Sequence, residues 1–364
     1  MSWYMGDRRR VLLRTAPFFV VGVVVFVAYL ALFVNIPEMI SVIQGADMLV
    51  YSLAAVTMIL EVFFFTLSWQ YLLIPLSVRV SLRKAFAYVW VGAFTDLLIP
   101  AESVSGEVAK AYLMSKEPDA NPGKVIASLV SQRILGTVAT TATLFVGFLL
   151  LLTLNYAIST WMLQILLLMT LLSAVAFAFL MTICVREDWT ERLVNAVMRF
   201  AEWCSRGRFK RERFQNKIVT AVRAFYRALK TFGSNPTKLV LPILFYTVAW
   251  LSSIAIVFLV FVSIGYVEPN IPVLLLKVVI VSSLMVTIKS IPVGVPAEVG
   301  LPDIIMTTLF ILFAVPPDIS AAATILTRVL TVWLRFFIGF AAMQWVGVKS
   351  LMDSGLFGRP KDQV

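Results

Sequence analysis

The sequence predicts an all-α integral membrane protein, a polytopic helix bundle containing two re-entrant helical hairpins related as an inverted repeat. Three observations carry that prediction. Hydrophobic residues make up 60% of the 364 and charged residues 14%, against roughly 25% charged in a soluble domain. Apolar runs near the length of about 20 residues that a spanning helix needs recur along the chain. The tripeptide Pro-Ala-Glu occurs at 100–102 and again at 296–298, each time between two apolar runs.

The first apolar segment, 11–34, follows the basic start MSWYMGDRRR, and its stretch from Pro17 to Val34 is long enough to span. No small-residue cleavage site follows, so a retained helix is expected in place of a signal peptide. Further segments are predicted at 49–76, 85–99, 103–115, 125–152, 161–184, 239–264, 272–291, 301–315 and 319–347. Basic residues orient them by the positive-inside rule. Arg8, Arg9, Arg10 and Arg14 precede the first helix, and Arg79, Arg83 and Lys84 follow the second. Lys110, Lys116 and Lys124 flank the next connection, thirteen more lie between Arg186 and Lys238, and Lys349, Arg359 and Lys361 end the chain. The connections at 35–48, 153–160, 265–271 and 315–318 hold no Lys or Arg.

These two sets of connections fall on opposite sides when 85–115 dips in from the cytoplasmic side and returns, and 272–315 does so from the other. Six segments then cross, and both termini of a multi-pass cell-membrane protein are cytoplasmic. An arrangement in which all ten segments cross also keeps both termini inside. It places Lys110, Lys116 and Lys124 outside and requires arms of 13 to 15 residues to span, which is short. The expected organisation is a single transmembrane domain over 1–364. It holds a first repeat at 49–152, a basic cytoplasmic insertion at 186–238 and a second repeat at 239–347.

Composition narrows the chemistry. The chain has no histidine, and its two cysteines, Cys184 and Cys204, have no metal-ligand spacing. No metal or cofactor is expected. The net charge of +11 follows from the positive-inside pattern, and with no binding fold beside it nucleic acid is not an expected partner. Between 186 and 238, thirteen basic residues face five acidic ones. Apolar residues at helical spacing there fit two amphipathic helices on an anionic leaflet, or a solvated linker. Trp69, Trp90 and Trp345 are among the aromatics expected at the membrane interface.

The repeat extends beyond the tripeptide. Glu102 and Glu298 are each followed five residues later by an acid, Glu107 and Asp303, at a constant offset of 196 residues. Arg133 and Arg328 follow in the next long helix, 31 and 30 residues after those glutamates. Pro100 with Gly106, and Pro296 with Gly300, mark the hairpin tips. Broken segments in matching positions are where secondary transporters build their midplane sites. A proline- and glycine-containing tip leaves backbone groups without helical partners, and the half-helix after it favours an anion at its N-terminus. An arginine at the bilayer centre costs at least about 2.5–3.5 kcal/mol, so Arg133 and Arg328 need partners. Glu102, Glu298, Glu107 and Asp303 are the candidates. Structural ion pairs and a polar site for an anionic head group both fit. Lys289 and Asp96, next to the tips, rank after them, then Glu61, Lys277 and Arg335, the last on the helix face of Arg328 at a spacing of seven.

The stretch Leu98 to Lys110 (LIPAESVSGEVAK), the Ser131-Gln132-Arg133 segment and the stretch Pro292 to Gly300 resemble the flippase-like transmembrane region of lysylphosphatidylglycerol synthases. That region also occurs in stand-alone bacterial and archaeal membrane proteins and fused to some archaeal glycosyltransferases. Pro100, Gly106, Glu107 and Lys110 occupy the places of the family's proline, Gly-Gly-acid group and basic residue. Pro296, Glu298, Gly300 and Asp303 are nearest its second turn. Ser105-Gly106 departs from the double glycine. The chain ends about 17 residues after its last predicted helix, so the aminoacyl-transferase domain is not expected. What the resemblance implies is the lipid-translocating part without its enzyme.

The leading expectation is a transporter, not an enzyme, moving an anionic phospholipid or polyprenyl-phosphate-linked lipid between leaflets. Its substrate-binding candidates are Arg133, Arg328, Glu102, Glu298, Glu107, Asp303, Lys110 and Lys289. Two alternatives stand beside it. One is an accessory subunit of a separately encoded lipid-modifying enzyme or glycosyltransferase. The other is a membrane-embedded lipid transferase using Glu102 and Glu298. Self-association is left open.

Overall fold

The computed structural model describes residues 27–99, 104–117, 120–153, 160–185, 225–266, 270–289 and 300–353, and among them there is helix and no strand. The principal helices are α1 (Ile36–Gln44), α2 (Met48–Leu73), α3 (Leu82–Leu98), α4 (Val104–Met114), α5 (Pro122–Thr153) and α6 (Thr160–Val185). They continue with α7 (Val240–Ser263), α8 (Ile271–Lys289), α9 (Leu301–Leu312), α10 (Pro317–Arg328) and α11 (Arg335–Asp353). Five stretches are long and apolar enough to cross a membrane: Met48–Leu76, Pro122–Thr153, Pro236–Ser263, Ile271–Lys289 and Pro317–Gly347.

Two long helices form the centre. α2 and α7 pack along each other, burying Ala54, Met58 and Val62 of the first and Ile254, Val257 and Phe261 of the second. Outward-facing positions such as Leu49, Leu53, Leu244 and Leu251 stay exposed. Both helices are apolar all round, as expected where one side meets protein and the other lipid.

After each central helix comes a helical pair. α3 and α4 are antiparallel. Lys84 and Tyr88 near the start of α3 bond Glu117 just past the end of α4, while Asp96 near the end of α3 accepts from Ser105 at the start of α4. The crossing is close because Gly92 faces Gly106. A Cβ on Gly106 would stand 2.5 Å from the Gly92 carbonyl oxygen and overlap the Asp96 carboxylate. α8 and α9 form the second pair. α8, at 19 residues, is long enough to cross, whereas α9 has 12.

The long helix after each pair packs on the other pair. α5 lies on α8, where Thr143 and Ser283 share a hydrogen bond of 2.8 Å and Gly147 admits Ile280. α11 lies on α3, where a Cβ on Gly339 would sit 2.8 Å from the Trp90 carbonyl oxygen. Small residues let helices approach closely where lipid supplies no hydrophobic drive.

Three features differ from the sequence reading. The connection 35–48 is largely helical: the chain bends by 105° after residue 33 and runs on as α1. Pro37 lies in the first turn of α1, where a missing N–H costs nothing. There, with Leu30 and Val34, Met39 covers Ala321 and Ala322 of α10. Trp69 and Trp90 are 0% and 2% exposed, so they are core residues and not interface anchors, while Trp345 is exposed. The last long segment is not one α-helix, because residues Val329–Leu334 form a π-helical stretch between α10 and α11. Of the basic insertion, residues 225–234 are helical and bury Phe225, Ala228 and Phe232 in the main core. Its earlier part, 186–224, lies outside the described residues.

Gly106→Val is expected to destabilise the detergent-solubilised protein by about 1–3 kcal/mol, the usual cost of overpacking. Thermal unfolding should show it. Gly347→Ala, where an added Cβ meets nothing within 4 Å, should leave the transition in place.

Candidate functional site

The tip residues Pro100, Glu102, Pro296 and Glu298 lie outside the described residues. The remaining candidates fall into two groups, one at each helical pair.

At the first pair, the short α4 carries Glu107 and Lys110 one turn apart on one face. Lys110 is 7% exposed. Its ammonium stands over the Phe65 and Trp69 rings of α2, 5.4 and 5.5 Å from their centroids, so ring faces hold the cation at a site shielded from solvent. The platform is braced: the Trp69 indole donates to Ser128 at 3.0 Å, and the Gln132 amide donates to the Phe65 carbonyl at 2.9 Å. Gln132 thereby fixes the turn of α5 that presents Arg133. One turn further, Gly136 leaves room for the Tyr246 hydroxyl of α7. Arg133 approaches Glu107 to 3.9 Å, and their side chains are 40% and 35% exposed. At that separation the two are an open ion pair and not a hydrogen bond. Asp96 holds the start of α4, accepting from the Ser105 hydroxyl at 2.7 Å and the Gly106 N–H at 2.6 Å.

At the second pair the same residue types are closed. Asp303 lies 2.7 Å from Arg328 Nε, with side chains 5% and 9% exposed. Its other oxygen accepts the Gly300 N–H at 2.6 Å. Gly300 adopts φ 95° and ψ −80°, a backbone that suits glycine alone. Asp303 therefore caps α9 and neutralises Arg328 at once. Buried Thr307 and Thr324 bond each other at 3.1 Å across the α9–α10 contact. Lys289 ends α8, half-buried, and Lys277 is buried within it.

Arg335 does not share the partner of Arg328. The π-helical stretch separates them, and Arg335 pairs with Glu61 of α2. The expected common face assumed an unbroken α-helix over that interval. Sequence reasoning ranked Glu61 low and missed the roles of Phe65, Trp69 and Tyr246. Only their spacing of four on α2, ahead of a lysine, could have flagged the aromatic platform. Among the described residues, no cluster of three metal-ligating side chains occurs.

Long apolar helices that carry charged side chains in pairs define a multi-pass helical membrane protein. The family model for the lysylphosphatidylglycerol synthase TM region matches residues 19–339, and the chain belongs to that family. It is 26% identical over 343 residues to a UPF0104 membrane protein of Methanothermobacter thermautotrophicus, covering 92% of this chain and 97% of the relative. UPF0104 membrane proteins of Methanocaldococcus jannaschii (24%, 87% and 91% covered) and Pyrococcus horikoshii (21%, 87% and 92% covered) are also similar. These relatives match along nearly their whole length, and the family fits a lipid-related role in a membrane.

Breaking the closed pair should cost far more than breaking the open one. Arg328→Ala leaves a buried carboxylate uncompensated and is expected to lose about 3–5 kcal/mol. Arg133→Ala should lose no more than about 1 kcal/mol, as exposed pairs do. Parallel unfolding measurements in one detergent would separate the two.

Proposed function

We propose that the protein is a lipid transporter, not an enzyme, that carries an anionic phospholipid or polyprenyl-phosphate-linked lipid between leaflets of the cell membrane. The observation that carries this reading is the state of Arg133. Its guanidinium is partly exposed beside a carboxylate 3.9 Å away, and it sits at the crossing of α4, α5 and the aromatic platform. A guanidinium is a planar fork that takes phosphate bidentately, and a loosely held one can exchange its carboxylate for a phosphate. Lys110 adds a second positive charge on the same side. Val104, Val108 and Tyr112 of α4 are exposed and offer an apolar face along which acyl chains can lie while the head group passes.

In this reading Arg133 binds the substrate. Arg328, closed against Asp303, ties α10 to the second helical pair. Glu107 serves as the resident anion that neutralises Arg133 between cycles. The two helical pairs act as re-entrant hairpins from opposite faces, the units 49–152 and 239–347 as an inverted repeat, and both termini are cytoplasmic. Motion down a gradient of the lipid itself suffices as a driving force.

Reconstitution in liposomes with labelled phosphatidylglycerol tests the proposal. Wild-type protein is expected to move the lipid between leaflets, and Arg133→Ala to slow that movement at least tenfold with no loss of folded protein. Arg133→Lys, which keeps the charge but loses the fork, should fall between them. If folded wild-type protein moves neither phosphatidylglycerol nor a polyprenyl phosphate, transport is refuted. The reading as an accessory subunit of a separate enzyme then takes its place, with co-purification as its check.

A further inference from the structure

We propose that the π-helical stretch Val329–Leu334 is a hinge between two bodies of the bundle. The helices on its two sides belong to different neighbours. α10 is tied to the second helical pair through Arg328–Asp303 and Thr324–Thr307. α11 is packed on the first pair through Gly339 against Trp90 and through Phe336 and Phe340 against Phe94. Arg335, the first residue of α11, is pinned to Glu61 of the central helix α2. One continuous chain thus joins both bodies, and its α-helical hydrogen bonding is interrupted where it passes from one to the other.

The interruption is supported from outside the backbone. The Tyr51 hydroxyl of α2 donates to the Leu326 carbonyl at 3.0 Å, and the Thr331 hydroxyl donates to the Thr327 carbonyl at 2.9 Å. The Leu326 carbonyl also accepts from the Val329 N–H, and a side-chain hydroxyl that shares a carbonyl with the backbone eases bending there. α5, the corresponding long helix of the first unit, is a continuous α-helix of 32 residues. It is packed on α8 of the second body. Its ionic link to the first body is the open Arg133–Glu107 contact. Bending at 329–334 would therefore turn α10 and the second pair against α11, which stays pinned to α2 and to the first pair.

The response of this hinge to lipid rests on the proposed transport and the hinge itself does not, so its test reads distance and not transport. In protein carrying Cys184→Ser and Cys204→Ser, spin labels at Pro317→Cys and Phe337→Cys span the stretch. Labels at Tyr112→Cys and Phe337→Cys lie within one body. All three labelled positions are exposed. Distances are measured by pulsed electron resonance in phosphatidylethanolamine vesicles with and without phosphatidylglycerol. The spanning pair is expected to give two distance components whose proportions change with phosphatidylglycerol, and the pair within one body to give one unchanged component. Tyr51→Phe should shift the proportions of the spanning pair alone. A spanning pair as narrow and as invariant as the control overturns the hinge. So does equal broadening of both pairs, which would place the movement elsewhere.

Discussion

An arginine in a bilayer must bring its counter-charge with it, and Arg133, Arg328 and Arg335 meet acids on three different elements. Arg328 meets Asp303 of α9, Arg335 meets Glu61 of α2, and Arg133 meets Glu107 of α4. Insertion costs of about 2.5–3.5 kcal/mol for each unpaired arginine make these contacts conditions on the fold. α10 cannot leave α9, and α11 cannot slide along α2, without stranding a charge. The apolar packing of α2 on α7 is then free to be general, because ion pairs set the register.

Glycine supplies what the ion pairs need. The helical pairs carry charge only if their arms approach until backbone meets backbone, as at Gly92 and Gly106. The exchange of long helices between pairs depends on Gly147 and Gly339 in the same way. The same steric economy lets Tyr246 reach in beside Gly136, next to the turn that bears Arg133. In water such contacts would compete with hydrophobic burial. In lipid, close packing and satisfied polar groups remain the principal cohesive terms.

Much of this was legible in the sequence, because its signals were chemical and periodic. Apolar run lengths placed the helices from α2 to α9 to within a few residues, and Gly300, named from the sequence at the second tip, takes a backbone that suits glycine. The need to neutralise a buried arginine named Asp303 among four candidate acids and left the pairing open; the structure joins it to Arg328. What was not legible depended on phase and depth. Trp69 and Trp90 read as interface residues because tryptophan is common there, and no periodicity distinguishes a tryptophan facing protein from one facing head groups. Arg335 read as a neighbour of Arg328 because a spacing of seven implies one face. An extra residue accommodated in a π turn breaks that inference without leaving a mark in composition. Helix α1, nine residues long, falls well below the length of a spanning run, so a search for such runs passes over it.

The difference between the two acid–arginine pairs is the feature that composition could least foretell. Glu107 and Asp303 occupy equivalent places after their tips, yet Asp303 is also the cap of its own helix. Its second oxygen is committed to the Gly300 N–H. In the first pair Asp96 reaches across from α3 to another first-turn donor, the Gly106 N–H of α4. The longer side chain of Glu107 faces Arg133 across 3.9 Å. Both of these side chains are part-exposed, whereas Asp303 and Arg328 are buried in contact at 2.7 Å, so the two matching pairs differ in how far each side chain is committed.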